Sequence, residues 1–290
     1  MLAGQAAWAQ DIEPRSYANL PVGLNVALAG AVRSTGGLAT DPTVPLNDAH
    51  LRIDGALLAY LRALNLWGDA ARFDIILPYA RLRGTATLAG QPLERHIDGL
   101  GDARVRGAIN FYGAPALSPR EFAAYRQDFV AGGSVQLTVP TGQYDDTRVI
   151  NLGSHRWAVK TELGMSKAIG DWFVDLAAAV NLYGRNNDYL GQTRQQAPIQ
   201  AVQTSVTRNF AGGAWAALGY TYYRGGRTTV NGVQRDDEIG NSRAGIVVAI
   251  PVDRANIIKL AASRGLSIRT GTDFDTVGVF WQHAWLGAPD

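Results

Sequence analysis

Strict alternation of apolar and polar residues, sustained over segments of ten or more positions, is the feature that most constrains how this chain can fold. In Ala103-Arg104-Val105-Arg106-Gly107-Ala108-Ile109-Asn110-Phe111 the odd positions are apolar or glycine and the even ones mostly polar. Phe129, Ala131, Gly133, Val135, Leu137 and Val139 form one face of another run. Trp157, Val159, Thr161, Leu163 and Met165 alternate with Arg156, Lys160, Glu162 and Ser166, and Trp172, Val174, Leu176, Ala178, Val180 and Leu182 make a further apolar face. A period of two is the signature of a strand with two unlike faces. Twelve such segments lie near 20–33, 50–66, 71–83, 99–112, 128–139, 154–167, 171–184, 198–209, 213–225, 241–251, 256–269 and 273–286. Strands of soluble domains average about 5–6 residues. A tilted strand crossing a bilayer needs roughly 9–11. Lipid offers no hydrogen-bond partners, so a sheet in it must close on itself. The expected fold is therefore all-β, a transmembrane antiparallel up-and-down barrel of about twelve strands. Its lipid face would carry Val105, Ile109, Val135, Leu137, Val159, Leu163, Val174, Leu176 and Val180.

The connections alternate in length, as they do in outer-membrane barrels with long extracellular loops and short periplasmic turns. Long polar stretches fall at 34–49, 84–98, 140–153, 185–197 and 226–240. Tight turns fall at Gly68-Asp69-Ala70, Ile169-Gly170, Ala211-Gly212 and 252–255. Segment 113–127 is long where a turn is expected, and Ser118-Pro119 can open a helical turn inside it. The link near Gly271 is short where a loop is expected. Aromatic residues cluster at two levels, the pattern of interfacial girdles. Trp67, Trp172 and Trp285 lie at the short-turn ends of their strands, Tyr79, Trp157 and Tyr183 toward the long-loop ends. Trp215 fits either face of its segment.

Composition excludes several classes. No apolar run reaches the roughly 18 residues of a membrane helix. The net charge of +2 is scattered, giving no basic patch for nucleic acid. Without cysteine there is no disulfide framework, zinc–thiolate site or thiol nucleophile. Residues 1–9 read as the remnant of a signal peptide, because Leu2–Ala9 is small and apolar and Ala7-Trp8-Ala9 matches a cleavage pattern. Residues 10–290 then form a single barrel domain.

No catalytic, metal or cofactor site is expected. The four histidines, His50, His96, His155 and His283, sit in separate segments without ligand spacing. Ser154 and His155 are adjacent, so on a strand they point to opposite faces. Asp145-Asp146 and Asp236-Asp237-Glu238 read as solvated loop carboxylates. The charged, inward-reading residues are more informative. Arg52, Arg104, Arg106, Arg156, Lys160 and Arg243 fall near the long-loop ends of their strands together with Asp54, Asp102 and Glu162, six bases against three acids. These charges either pair and plug a narrow lumen or form a constriction of positive potential that favours anions.

Several stretches resemble a known family. They are Gly99-Leu100-Gly101-Asp102, Asn110-Phe111-Tyr112-Gly113-Ala114-Pro115-Ala116-Leu117-Ser118, Glu121-Phe122-Ala123-Ala124-Tyr125-Arg126-Gln127, Pro140-Thr141-Gly142-Gln143-Tyr144-Asp145 and Asn151-Leu152-Gly153-Ser154-His155-Arg156-Trp157, with Lys160 and Glu162 beyond. They are similar to proteins grouped under the MetA pathway of phenol degradation. The resemblance implies an outer-membrane transporter and supplies no catalytic residues. The leading expectation is uptake of small molecules, aromatic or anionic compounds among them, across the bacterial outer membrane. Its partners would be outer-membrane lipid, the solute and, through the aromatic-rich closing strand Val277–Trp285, the barrel-assembly machinery. The alternatives are a structural or adhesive barrel with a filled lumen and, last, a barrel hydrolase.

Overall fold

The computed structural model describes residues 14–39, 46–88 and 90–287. Residues 1–9, read as a signal-peptide remnant, lie outside them. The chain runs up and down around a closed antiparallel wall. Strands β1 (Leu24–Ala39), β2 (Leu46–Leu66) and β3 (Asp69–Leu88) open it. A fourth strand comes in two pieces, β4 (Gln91–Leu100) and β5 (Ala103–Tyr112). Both pair with β3, β4 with its upper part and β5 with its lower part. The wall continues through β6 (Phe129–Val139), β7 (Ala158–Ile169) and β8 (Trp172–Tyr183). Two short strands, β9 (Asn186–Tyr189) and β10 (Gln192–Gln196), stand off it before β11 (Ile199–Asn209) and β12 (Trp215–Gly225). Two more, β13 (Thr228–Val230) and β14 (Val233–Gln234), precede β15 (Ile239–Pro251), β16 (Asn256–Ser267) and β17 (Gly271–Leu286). Strand β17 pairs with β1 from Leu24↔Leu286 to Ala39↔Gly271, which removes both edges. With β4 and β5 counted as one, twelve strands among the described residues form the wall.

Two of the expected loops are strand. The stretch 84–98 continues β3 and β4 as a hairpin, and 34–49 is mostly the extended ends of β1 and β2. Polar composition read as loop because these extensions need no apolar outer face. The stretches 185–197 and 226–240 contain β9, β10, β13 and β14, which form a separate four-stranded sheet on the long-loop side. On the opposite side, β2 turns into β3 at Trp67-Gly68, where both residues have positive φ, 58° and 91°. That geometry matches the twist of a two-residue hairpin, and glycine supplies one of the two positions without strain. Helix α1 (Pro119–Ala124) lies in 113–127 and begins with a capping box. Ser118 Oγ accepts from the Glu121 N–H, and the Glu121 carboxylate accepts from the Ser118 N–H.

Facing follows the alternation. Paired residues across antiparallel strands share a face, so the row Val105↔Leu137↔Val159↔Leu182 lies on the outside together with exposed Leu163, Val174 and Leu176. Ile109 and Val180 share this face with Leu163 and Val135 across the strands. Leu58, Leu77, Leu218, Ile246, Leu260 and Val279 extend the apolar band around the wall. Trp67, Tyr79, Trp157, Trp172 and Trp285 are exposed at its margins. Tyr183 is not in this girdle. It falls on the odd, inward face of β8, opposite Leu182, because one step along a strand reverses the face. Trp215 also points inward, on the same face as buried Ala217 two positions on and opposite to outward Leu218 three positions on.

Candidate functional site

The site is the lumen, assembled from inward positions of several strands. Across the wall, Asp74↔Arg106↔Gln136↔Lys160↔Asn181 make one inward row. Ser134↔Glu162↔Ala179 make the next row toward the short turns. Glu162 therefore sits diagonally below two bases. Its carboxylate meets Arg106 Nη2 at 3.2 Å and Lys160 Nζ at 2.7 Å. Arg72 and Asp74 pair at 3.3 Å on β3. Arg104 shares the inward face of β5 with Arg106, and Arg243 is buried on β15 with Nη2 donating to Ser263 Oγ at 3.0 Å. Asp102 occupies the break between β4 and β5. Its two oxygens accept from the Gly142 N–H and from the N–H and Oγ of Ser154. The break frees Asp102 to tie down the loop between β6 and β7.

Arg52 and Asp54 lie elsewhere. They are on the outer surface, in a cluster where Asp54 accepts from Arg33 at 2.6 Å and from Arg52 at 3.0 Å. Their inward neighbours Leu51 and Ile53 are buried with Leu82, Phe274 and Leu152, against which Ile97 and Ile150 pack. The expectation assumed that apolar residues face outward along the whole strand. Above the lipid the rule inverts: the inner face packs against the β6–β7 loop and the outer face meets water. Of the expected constriction, Arg104, Arg106, Arg156, Lys160 and Arg243 stay inward with Asp102 and Glu162, and Asp74, level with Arg106, joins them, five bases against three acids.

The chain before β1 enters this lumen from the short-turn side, a feature the alternation could not signal. Tyr17, 3 % exposed, donates its hydroxyl to Glu162 Oε1 at 2.9 Å, and its carbonyl accepts from Asn110 Nδ2 at 3.3 Å. Its ring lies against Gly164 and Gly132, and a Cβ at Gly164 would come within 2.1 Å of the ring. Those glycines make room for the tyrosine. The Arg15 N–H donates to Asp175 Oδ2 at 3.2 Å, while its guanidinium reaches Asn209 and lies over the rings of Phe173 and Trp215. Segment 113–127 fixes the base of this insert. Asn19 Nδ2 donates to the Pro115 carbonyl, the Val22 N–H to the Leu117 carbonyl and the Ala116 N–H to the Gly68 carbonyl. Between insert and wall, a cavity of about 10 Å³ is lined by Ser16, Tyr17, Lys160, Glu162 and Asp175 among others. It has the room of a single water.

Toward the long-loop side, Arg156 and Arg194 are buried beside tyrosines. The Arg156 guanidinium stacks over Tyr183 at 4.6 Å and Arg194 lies over Tyr189 at 5.8 Å. Burial holds both guanidinium pKa values below their usual range, and the like charge of Arg194 lowers that of Arg156 further. Arg194 escaped the sequence reading because β10 stands off the wall, where alternation does not report the lumen. Among the described residues no group of three or more His, Cys, Asp or Glu is arranged to hold a metal ion.

A closed antiparallel wall with an apolar outer band, a polar interior, long loops at one end and tight turns at the other defines a bacterial outer-membrane β-barrel. Solved structures agree on the fold. An outer membrane channel from Pseudomonas putida F1 aligns with a TM-score of 0.80 at 20% identity, over 95% of this chain and 100% of that one. The β-domain of the Bordetella autotransporter BrkA aligns with a TM-score of 0.50 at 13% identity, over 91% and 100%. The transport unit of the Escherichia coli autotransporter AIDA-I gives 0.50 at 8%, over 98% and 95%. No curated protein matches the chain. The family described as "Putative MetA-pathway of phenol degradation" matches residues 33–282, and the chain belongs to that family.

Proposed function

We propose that this barrel, a single domain over residues 10–290 delivered by a cleaved signal peptide and the barrel-assembly machinery, is a gated, non-enzymatic channel for small molecules. The observation that carries this reading is the insert at 14–23. It crosses a charged lumen yet is held there by a handful of hydrogen bonds and one tyrosine ring rather than by a large apolar core. Such an element can leave without dismantling the wall. The family description supports aromatic compounds as the solute class, and the likeness to a 20%-identical outer membrane channel supports conduction. The bases Arg104, Arg106, Arg156, Lys160 and Arg243 outnumber Asp74, Asp102 and Glu162, and a confined excess of one sign focuses potential and concentrates counter-ions. The pore then has a weak anion preference, softened by the pairing of Arg106 and Lys160 with Glu162.

Reversal potential under a salt gradient at low ionic strength tests this. The wild type conducts with slight anion selectivity. Replacing Arg104 and Arg106 together by Gln shifts the potential toward cations while insertion persists. A conducting wild type that prefers cations refutes the basic constriction. The alternative, a structural barrel with a filled lumen, is favoured by the paired charges and the insert, and it requires that no conductance appear even when the insert is released.

A further inference from the structure

We propose that Arg156 and Arg194 form a binding site for a small carboxylate, with planar aromatic acids as its class of ligand, on the extracellular side of the lumen. This names a cargo chemistry and so rests on the channel reading. The two guanidiniums reach one region from different elements, Arg156 from the residues just ahead of β7 and Arg194 from β10 of the small sheet. Each residue is 5 % exposed. Arg156 Nη2 donates to Gln196 Oε1, but its Nε and Nη1 are buried without a hydrogen-bond partner, as is Arg194 Nε. Buried polar groups are nearly always satisfied, and an uncompensated buried charge is among the most costly arrangements in a protein.

The neighbouring acids do not supply the missing partner. Asp102 is engaged by Gly142 and Ser154, and Asp237 accepts from the N–H and Oγ1 of Thr228. A bound anion completes the site. The unused donors of two planar guanidinium groups suit a carboxylate, whose two oxygens can each accept from a different fork. The walls specify the rest of the ligand. Tyr183 and Tyr189 stand against the two guanidiniums, and Tyr144, whose hydroxyl accepts from Asn186 Nδ2 at 2.9 Å and donates to the Asp188 carbonyl, borders them on the loop side. Tyrosine rings favour a flat aromatic body by offset or edge-on stacking. The site stands above the Glu162 cluster, on the path from the long-loop side to the insert.

The test is calorimetric titration of the purified barrel in detergent with sodium benzoate, run beside benzyl alcohol and beside inorganic phosphate at matched ionic strength. Heat-modifiable gel migration certifies folding of each sample. Benzoate is expected to bind saturably and benzyl alcohol not to. Phosphate at equal concentration should displace benzoate at least tenfold less well than benzoate itself. R194Q, in a strand outside the wall, should weaken benzoate at least tenfold, R156Q should do the same, and the outward control R208Q should leave it unchanged. No saturable benzoate binding by the folded wild type overturns the site, as does undiminished binding by R194Q. Equal competition by phosphate overturns the carboxylate class in favour of a general anion site. Conductance recorded without benzoate separates the two readings. A conducting barrel that ignores benzoate loses only the site, whereas a benzoate-binding barrel that never conducts loses only the channel.

Discussion

Tyr17→Phe isolates the latch of the insert. The hydroxyl makes one charge-assisted hydrogen bond to Glu162 Oε1 at 2.9 Å inside the barrel. Removing it leaves the Glu162 carboxylate paired with Arg106 and Lys160, so no charge is orphaned and the wall should assemble normally. Glu162→Gln would be a poorer test, because it strips buried Arg106 and half-buried Lys160 of their partner at a cost of about 3–5 kcal/mol. A hydrogen bond to a charged group contributes about 1.5–3 kcal/mol. If the bond exists only in the seated state, its loss raises the ratio of released to seated insert by about tenfold to a hundredfold, at 1.4 kcal/mol per decade. Single-channel recording in a planar bilayer reads this as shortened closed dwell times at unchanged open conductance. Gly164→Ala, whose Cβ would fall within 2.1 Å of the ring, attacks the same contact sterically and should open the channel at least as far. Wild-type dwell times in both variants, with normal insertion, would refute the gating role.

Other outcomes follow from the facing and the loop ties. Leu176→Arg, on the lipid face near mid-strand, should reduce assembly by about 2–4 kcal/mol, whereas Ala108→Arg, on the inward face, should be tolerated, with heat-modifiable migration as the readout. Asp102→Ala removes the acceptor for Gly142 and Ser154, about 1–3 kcal/mol of unsatisfied donors, and should speed cleavage at 140–153 by protease added to intact cells. Ser118→Ala breaks the capping box of α1 and should cost about 1 kcal/mol, seen as faster amide exchange confined to 118–125.

The wall was legible in the sequence because lipid enforces one rule at every position: apolar out, polar in, period two. Val135, Leu163 and Leu176 obey it, and so do the inward charges Arg106, Lys160 and Glu162. The same rule misled where its cause was missing. Leu51 and Ile53 alternate like lipid-facing residues but pack inward against Ile150 and Leu152, which sent Arg52 and Asp54 to water. Tyr183 was grouped by its height along β8 and not by its parity. The insert at 14–23 left no periodic signal at all. Its trace was compositional and indirect, in glycines at 132 and 164 within runs whose inward neighbours carry side chains. Arg194 had no signal either, since a tertiary fold of loop residues brings it to Arg156.

The unequal strand lengths carry one more consequence. Strand β8 has 12 residues, which at about 3.3 Å each and a tilt near 40° rises roughly 30 Å, little more than the apolar band of a barrel. Strands β2 and β3 have 21 and 20 residues and rise roughly 50 Å by the same geometry. The wall at β2 and β3 therefore stands about 20 Å taller than at β8, as a parapet facing the cell's surroundings. Its crown bears Arg33, Arg52, Asp54, Arg81 and Arg83 at the height of the surface sugars, and its inner side shelters the approach to the lumen. A solute, an antibody or a phage fibre would meet this protein as a lopsided rim, continuous wall on one flank and the small four-stranded sheet on the other.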